Sequence, residues 1–326
     1  MIVSNRRRVL QLTAAALATP ALPRFAMAAD WPAEKTIRAV VPFTAGSTID
    51  ILGRIMLDPV SRQIGQTIVV ENRGGAGGTI GSSMVAKSPA DGYTLLINAA
   101  AHSGAPAAYS KLNYDVANDF AAVACFGSVP NVLLVAPSKG FKSLEDFVAK
   151  AKDGKMTFAS AGVGSATHWA AERFRVSAGL KATHVPFRGG PEALTEVMTG
   201  RVDFIFIGIS SGMPFIQNKQ LQALAVSSAK RSPSLPEIPT TLEAGFKESD
   251  FNYWNGMLVP AKTPRPIVER LYAEVTKALA LPDIQVKLKV QGVEPAPLSP
   301  TEMDEMIKRE IALNLKIAKA AGLKFN

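Results

Sequence analysis

The chain has 326 residues, of which 47% are hydrophobic and 19% are charged, and its formal net charge is +9. This length exceeds what one hydrophobic core usually supports, so we expect two domains, and the composition is typical of a soluble globular protein. Cys125 is the only cysteine, which excludes an intramolecular disulfide and favours a buried thiol with no reactive role.

Residues 1–28 have the pattern of an export signal. Three arginines, Arg6–Arg8, precede the apolar stretch Val9–Leu22, and Ala26–Ala28 offers a small-x-small cleavage site. The sequence around the arginines approximates the twin-arginine consensus with imperfect matches, so twin-arginine export and general export both stay open. Pro20 and Pro23 interrupt a run that is already shorter than the ~20 residues of a membrane span. We therefore predict a periplasmic mature protein from which this segment has been removed.

Charge narrows the class of ligand. The predicted export signal holds four of the 36 basic residues and no acidic residue, so the mature chain keeps 32 basic and 27 acidic residues and a charge of +5. A mild positive excess favours an anionic small molecule through long-range attraction. The mature chain has no basic run and no stripe of basic and aromatic residues, and we therefore expect no nucleic-acid partner.

Short apolar runs alternate with helix-like segments along the chain. The predicted strands are Ile37–Val41, Thr67–Val70, Thr94–Ile97, Ala122–Phe126, Val132–Val135, Thr157–Ala159, Phe204–Ile207, Leu221–Val226 and Gly256–Val259. The predicted helices are Ile49–Gln63, Thr79–Lys87, Ser143–Lys152, Thr167–Ser177, Pro191–Thr199, Pro266–Leu281, Asp283–Gln291 and Pro300–Ala321. This alternation predicts an α/β fold with mainly parallel sheets flanked by helices.

Two segments are candidate connections between lobes. Ser128–Asn131 separates two strand-like runs, and Ser249–Tyr253 follows a proline-rich loop. If the chain crosses at both places, residues 30–130 and 252–326 form one lobe and residues 131–251 form the other.

Two stretches share one local design, in which a strand leads through a loop of small and hydroxyl residues into an amphipathic helix. The first loop is Phe43–Thr48 and the second is Ser160–Ser165. Glycine and alanine let a ligand approach the backbone, and each helix start presents unpaired N–H groups beside a partial positive charge. Two such anion sites far apart in sequence favour a carboxylate held between two lobes. Asp50, at the first helix start, either faces the ligand or caps its own helix, and we favour the cap.

The best enzymatic signal is Gly208–Gly212, which matches the Gly-x-Ser-x-Gly nucleophile elbow around Ser210. That motif needs a histidine later in the chain, whereas His102, His168 and His184 all precede it. The same histidines are too widely spaced to suggest a metal site, so we predict neither a metal nor a cofactor. His168 remains a candidate ligand contact because it follows the second loop by three residues.

The glycine-rich run Gly74–Gly78 invites comparison with nucleotide-binding loops. It lacks the Gly-Lys-Ser/Thr ending of a phosphate loop, and it does not have the spacing of a dinucleotide motif. We interpret it as a structural turn that leads into the next helix.

Many segments match one family in one order. The matching pieces are Val41–Ser47 with Asp50, Val70–Gly78, Ala90–Leu95, Ser160–Ser165 with His168, His184–Gly189, Gly200–Asp203, Leu235–Thr240 and Trp254–Gly256. With these pieces, residues 30–326 resemble the substrate-binding proteins of tripartite tricarboxylate transporters, of the Bordetella-uptake-gene type.

The resemblance implies a two-lobe periplasmic binding fold that closes on its ligand like a flytrap. It also implies that the loops Phe43–Thr48 and Ser160–Ser165 hold one carboxylate, partly through bridging waters.

The chain departs from the family at two places. Family members often have an asparagine in the stretch that matches Ala100–Ala105, and many have a polar or acidic side chain at Ile207-Gly208. Loss of an acid disfavours an amino-acid ligand and leaves room for an aliphatic or aromatic carboxylate.

The predicted ligand-binding residues come from both loops and from the positions that match the family. They are Phe43, Thr44, Ala45, Gly46, Ser47, Thr48, Asp50, Ala101, His102, Ser160, Gly162, Gly164, Ser165, His168, Arg188, Asp203, Ile207 and Gly208. We expect a monomer with no catalytic residue that captures a mono- or dicarboxylate and delivers it to membrane transporter subunits. The alternatives are a ligand-responsive partner of a membrane sensor and an exported serine hydrolase that uses Ser210.

Overall fold

The computed structural model describes residues 31–152, 155–251, 253–294 and 296–320. The predicted export signal lies outside the described residues. None of the helices within the described ranges is long and apolar enough to cross a membrane.

Strands and helices alternate through most of the described chain. The strands are β1 (Ile37–Val41), β2 (Ile68–Asn72), β3 (Thr94–Ala99), β4 (Phe120–Ser128), β5 (Asn131–Val135), β6 (Met156–Ser160), β7 (Ala182–Pro186), β8 (Phe204–Gly208), β9 (Gln222–Val226) and β10 (Trp254–Pro260). The helices are α1 (Thr48–Ile64), α2 (Thr79–Ala86), α3 (Ala101–Ala108), α4 (Leu144–Ala151), α5 (Ala166–Ser177), α6 (Gly190–Met198), α7 (Ile209–Gln217), α8 (Arg265–Leu279), α9 (Pro282–Val290) and α10 (Pro300–Ala320).

The strands form two five-stranded sheets with matching organisation. The first has the order β2-β1-β3-β10-β4 and the second has the order β7-β6-β8-β5-β9. In the first sheet, β1 pairs in parallel with β2 and β3, whereas β10 is antiparallel to β3 and β4. In the second, β6 is parallel to β7 and β8, whereas β5 is antiparallel to β8 and β9. Each sheet is therefore mixed, which differs from the mainly parallel sheets that the sequence predicts.

The antiparallel strands enter their sheets directly from the connections between them. The chain leaves the first sheet at Ser128 and starts β5 at Asn131, and it returns to the first sheet at Trp254. A strand that arrives by such a crossing has no helical crossover behind it, so nothing requires it to run parallel to its neighbours. The exact bounds of the two lobes stay a prediction.

Helix α1 illustrates why the predicted helices form. Leu52, Met56 and Val60 recur one turn apart and are fully buried, which gives the helix an apolar face. The side chain of Ser47 caps its first turn, and Gly65 ends it with a φ of 68°, which lies in the left-handed region.

The sequence does not predict α3 and α7, because both contain poor helix formers. Gly104 and Pro106 lie within α3, and Gly212 and Pro214 lie within α7. Both glycines lie against other elements. A Cβ on Gly104 would lie 2.3 Å from the indole nitrogen of Trp169, and one on Gly212 would lie 2.9 Å from Leu134. Tertiary packing outweighs weak local propensity here.

Candidate ligand site between the two sheets

Four helices of the described chain begin around one small cavity between the sheets. Helices α1 and α5 begin after the predicted loops, with Ser47 and Ser165 as their N-caps. Helices α6 and α7 begin after β7 and β8, at Gly190 and Ile209. A helix N-terminus carries unpaired N–H groups and a partial positive charge of roughly half an elementary charge. The cavity therefore lies in a positive field that comes from the backbone.

The cavity is lined mostly by hydroxyl groups and small apolar side chains. Its volume is about 20 Å³, which is room for about one water molecule. None of the described lining residues has a charged side chain. The lining residues are Phe43, Ser47, Thr48, Ala161, Ser165, Ala166, Thr167, Gly190, Ile207, Ser211 and Tyr253. The cavity in this arrangement therefore admits no more than one small polar group.

Hydrogen bonds join the two sides of the cavity directly. The hydroxyls of Thr48 and Ser211 lie 2.9 Å apart, and that of Ser211 also lies 3.4 Å from the carbonyl oxygen of Gly46. The hydroxyl of Tyr109, just after α3, donates to the carbonyl oxygen of Val163 at 2.7 Å. These contacts join α1 to α7 and the end of α3 to the second loop.

Glycines without room for a side chain line the same junction. A Cβ on Gly77 would lie 2.0 Å from the carbonyl oxygen of Val163, and one on Gly189 would lie 1.9 Å from the hydroxyl of Thr44. A Cβ on Gly208 would lie 2.5 Å from the hydroxyl of Thr48. Gly77 belongs to the run that the sequence suggests is only a turn. The structure gives that run a second role, which is to let the two sides approach each other.

Asp50 organises the first loop and is not among the residues that line the cavity. Its carboxylate accepts hydrogen bonds from the backbone of Gly46 at 2.9 Å, from Arg54 at 3.0 Å and from Asn72 at 2.9 Å. Burial by itself would raise the pKa of Asp50, but these hydrogen bonds, with the Arg54 charge, bring it below its ordinary value. Asp50 stays charged and holds the loop, which agrees with the capping interpretation.

The second loop is held by side chains of its own helix. The hydroxyl of Ser165 accepts a hydrogen bond from the backbone of His168 at 3.3 Å and lies 2.9 Å from the hydroxyl of Thr167. The Thr167 hydroxyl in turn accepts from the backbone of Ala161 at 2.8 Å. Ser165 and Thr167 thus both line the cavity and fix the shape of the loop.

His168 and His184 lie behind the second loop and not in the cavity lining. Burial is the main cause that lowers the pKa of His168 to about 2, with His184 and Arg175 adding to it. Burial also lowers the pKa of His184 to about 4. Both rings are therefore neutral at physiological pH. The ligand contact through His168 stays a prediction, and in this structure its ring lies behind the loop, outside the cavity lining.

Several other predicted residues lie away from the cavity. Asp203 precedes β8, whereas the cavity is at its other end, and its carboxylate bonds to Lys139 at 2.6 Å and to the backbone of Thr157 at 2.8 Å. His102 lies in α3, and its ring packs edge-on against the ring of Phe120 with 4.7 Å between the ring centroids. The predicted residues that do not line the cavity are Thr44, Ala45, Gly46, Asp50, Ala101, His102, Ser160, Gly162, Gly164, His168, Arg188, Asp203 and Gly208.

The direction of each element explains why these residues lie away from the cavity. Only the end of β8 that leads into a helix start faces the junction, so Asp203, just before β8, and Ile207, near its end, have different surroundings. Arg188 is exposed, and its backbone N–H donates to the carboxylate of Glu192 at 3.1 Å. The predicted residues that do line the cavity are Phe43, Ser47, Thr48, Ser165 and Ile207.

The sequence analysis misses some lining residues for identifiable reasons. Tyr253 lies in the predicted crossing segment, which we read as a connection and not as a wall of the site. Ser211 follows the candidate nucleophile Ser210 within the Gly-x-Ser-x-Gly motif, which we interpret only in terms of catalysis. Thr167 is the first residue of one predicted helix and Gly190 immediately precedes another, so the helix starts are a signal that could have found both.

Ser210 does not have the surroundings of a nucleophile. Its hydroxyl donates to the carbonyl oxygen of Gln291 at 2.9 Å, so its proton is engaged by a backbone carbonyl and not by a base. The histidines are engaged elsewhere, since the ring of His184 bonds to Ser160 and that of His168 accepts from Gly164. No cluster of side chains suited to a metal ion occurs in the ranges that the structure describes.

Comparison with known proteins agrees with this geometry. The family model "Tripartite tricarboxylate transporter family receptor" matches residues 52–323. A UPF0065 protein in the tcbD-tcbE intergenic region of Pseudomonas sp. strain P51 is 38% identical over 309 residues, which is 94% of this chain and 91% of that protein. The solved structure of R. palustris Rpa4515 with adipate has 35% identity and a TM-score of 0.86, and the match covers 90% of this chain and 99% of that one. MatC (Rpa3494) from Rhodopseudomonas palustris with bound malate has 29% identity and a TM-score of 0.82, with 86% and 98% covered.

The fold and the junction between the sheets define a two-lobe periplasmic binding protein, which confirms the predicted fold class. The chain belongs to the tripartite tricarboxylate transporter receptor family, and this confirms the resemblance seen in the sequence. The family and the fold are those of substrate-binding proteins and not of enzymes.

Proposed function

We propose that this protein binds a small organic carboxylate in the cavity between its two sheets and delivers it to a membrane transporter. The observation that carries the proposal is the convergence of four helix N-termini, those of α1, α5, α6 and α7, on a cavity whose described lining has no charged side chain. Backbone N–H groups and hydroxyls can surround a carboxylate with donors, and hydrogen bonds to a charged acceptor contribute ~1.5–3 kcal/mol each.

The carboxylate end of the ligand binds at the helix starts, and the rest of the ligand contacts the apolar part of the cavity lining. Ser47, Thr48 and Ser165 are the proposed carboxylate contacts. Phe43 and Ile207 offer only apolar surface to the remainder of the ligand. Malate and adipate, which two related proteins bind, are small carboxylates of the class that we propose.

The cellular setting follows from the predicted export signal. With residues 1–28 removed, the protein would work as a monomer in the periplasm, where its charge of +5 attracts anions. It needs no cofactor for this role. Transport is the role we propose, and signalling to a membrane sensor is the outcome to test against it by measuring ligand uptake in cells with and without the protein.

A thermal-shift screen of carboxylates tests the binding proposal. A ligand at about one hundred times its dissociation constant adds ~2.7 kcal/mol to the stability of the folded state, which is a readily measured rise in melting temperature. Each acid should be paired with its neutral amide, which has the same size and no charge. A carboxylate that stabilises the protein while its amide does not would support the proposal. Equal shifts for acid and amide, or no response to any carboxylate, would contradict it.

A further inference from the structure

Two imidazole rings support the second loop from behind. The backbone N–H of Gly164 donates to Nδ1 of His168 at 3.0 Å, and Nε2 of His184 lies 2.6 Å from the hydroxyl of Ser160. That hydroxyl also accepts from the backbone of Gly162 at 3.1 Å. The two rings therefore contact Gly164 and Ser160 directly, and they reach Gly162 only through the Ser160 hydroxyl, in the six-residue loop that carries Ser165 into the cavity.

The rings are stacked on each other. Their centroids lie 3.9 Å apart with an angle of 10° between the planes, and the ring of Phe158 stacks at 4.8 Å from His184. His168 is 2% exposed, so water cannot screen a charge on it. Two protonated rings at this distance would repel each other strongly, and one protonated ring would be poorly solvated.

The hydrogen bond to Gly164 fixes the tautomer of His168. Because Nδ1 accepts from a backbone N–H, it carries no proton, and the ring proton is assigned to Nε2. Nε2 faces the carboxylate of Glu172 at 3.8 Å, and Glu172 is itself bonded to Arg175 at 2.6 Å. Tyr109 is a further titratable group at this loop, and its hydroxyl donates to the carbonyl oxygen of Val163. A proton on Nδ1 would place two N–H groups against each other and release Gly164.

We propose that His168 and His184 are positioning residues, whose uncharged, hydrogen-bonded side chains hold the 160–165 loop in its ligand-binding shape. The inference rests on the proposed function, since it assigns a role to residues that support the carboxylate site without touching the ligand. The pair makes ligand affinity sensitive to acid, because a proton on either ring loosens the loop.

The direction of the pH effect follows from burial. The pKa of His184 is lowered to about 4 and that of His168 further, so both rings stay neutral well below the ordinary histidine value of 6.5. Ligand affinity should be constant above pH 6.5. It should fall as the pH drops through about 4, where His184 takes up a proton before His168 does. The ligand also becomes protonated in this range, so the test compares variants at each pH.

The first experiment compares two substitutions at His168 by calorimetry at about pH 7. His168→Asn keeps an acceptor near the position of Nδ1 and should retain most of the affinity. His168→Phe fills the space but leaves the N–H of Gly164 without an acceptor, and affinity should fall on the order of tenfold. Equal affinity of the two variants overturns the proposal.

The second experiment follows affinity from about pH 7 to about pH 4 for the wild type and for the double variant His168→Asn with His184→Gln. Neither replacement side chain takes up a proton in this range. Ligand protonation is common to both proteins, so the ratio of their affinities isolates the histidine pair. The ratio should rise in favour of the double variant as the pH falls, and a constant ratio overturns the proposal.

If His168→Phe fails to fold, the pH profile and an NMR titration of the ring carbons still decide the matter. The titration should show His168 as the neutral Nε2–H tautomer down to about pH 5, and a charged ring there overturns the proposal. A wild-type protein that binds no carboxylate at pH 7 would instead refute the proposed function. The two failures are therefore distinguishable.

Discussion

Tyr109 and Val163 come from opposite sides of the ligand cavity and meet through one hydrogen bond. The Tyr109 hydroxyl donates to the Val163 carbonyl oxygen at 2.7 Å, and burial raises the pKa of Tyr109 to about 12, so this donor keeps its proton under all ordinary conditions. The bond exists only while the two sides are in contact. It therefore stabilises the closed arrangement relative to any open one, and a ligand that needs closure benefits from it.

Replacing Tyr109 with phenylalanine tests this bond. The variant should bind a carboxylate ligand about fivefold more weakly, since a neutral hydrogen bond contributes ~0.5–1.5 kcal/mol. Calorimetry measures the change. Tyr272→Phe on α8 removes a hydroxyl that has no part in the junction and should leave affinity as it is. Equal behaviour of the two variants would show that the Tyr109 bond does not contribute to closure.

Gly77→Ala should hold the two sides apart. A Cβ at Gly77 would lie 2.0 Å from the carbonyl oxygen of Val163, and its φ of 61° adds backbone strain. Gly179→Ala is the matched control, because its φ is 63° and nothing lies within 4 Å of the added Cβ. Both variants should lose similar stability, but only Gly77→Ala should lose ligand affinity.

Small-angle scattering gives a second measurement for the same pair. Saturating ligand should reduce the radius of gyration of the wild type by favouring closure. Gly77→Ala should keep a larger radius under those conditions, whereas Gly179→Ala should match the wild type. A ligand-saturated Gly77→Ala protein as compact as the wild type would contradict the steric argument.

Ser165→Ala should weaken every carboxylate ligand by about tenfold or more, because it removes a donor at the helix start that faces the cavity. Ser165 is also the N-cap of α5, so lost stability could be mistaken for lost binding. Ser143→Ala removes the N-cap of α4, outside the cavity, with the same type of hydrogen bond. Both variants should melt earlier by a similar amount, and calorimetry should show weaker binding for Ser165→Ala alone.

The side chain of Ile207 should govern the tolerance of a second charge on the ligand. Ile207→Asp introduces a carboxylate into the cavity wall, and like-charge repulsion should penalise a dicarboxylate more than a monocarboxylate. Asparagine has nearly the same shape as aspartate but no charge, so Ile207→Asn isolates the electrostatic effect. Calorimetry with one ligand of each class is sufficient. If Ile207→Asp weakens both ligands equally, Ile207 does not face the far end of the ligand.

Glu310 should make folding stability fall as the pH rises. Burial is the main cause that raises its pKa above 4.5, although hydrogen bonds from Ser103 at 2.6 Å and Trp254 at 2.7 Å and the charge of Arg173 oppose it. Between 4.5 and the raised value, the folded protein holds a proton that the unfolded chain has lost, so the folded state loses stability as the pH rises through that window.

Glu310→Gln removes this titration. We expect the variant to match the wild type near pH 4 and to have a higher melting temperature than the wild type near pH 7. Calorimetric melting at both pH values measures it. A variant that is less stable at both would show that the hydrogen bonds to the ionised carboxylate outweigh its burial.

Local signals in the sequence were sufficient for most elements and for the two loops. Ser47 and Ser165 mark helix starts, because a hydroxyl residue before an amphipathic run caps the first turn of a helix. That relation involves only neighbouring residues. The same local logic failed for α3 and α7, where Pro106 and Pro214 lie inside helices that tertiary packing holds together.

The sequence by itself determined an α/β chain with two loops of small and hydroxyl residues that lead into helix starts, because periodicity and capping are properties of short segments. Only the tertiary structure decided which residues share the cavity. Tyr253 and Ser211 come from segments far from either loop and meet there through the crossing of the chain and the closure of two sheets. Asp203 lies outside the cavity because it precedes β8, at the end of that strand opposite the cavity, where Lys139 bonds to its carboxylate. Such pairings depend on the relative placement of distant elements, which no local pattern encodes.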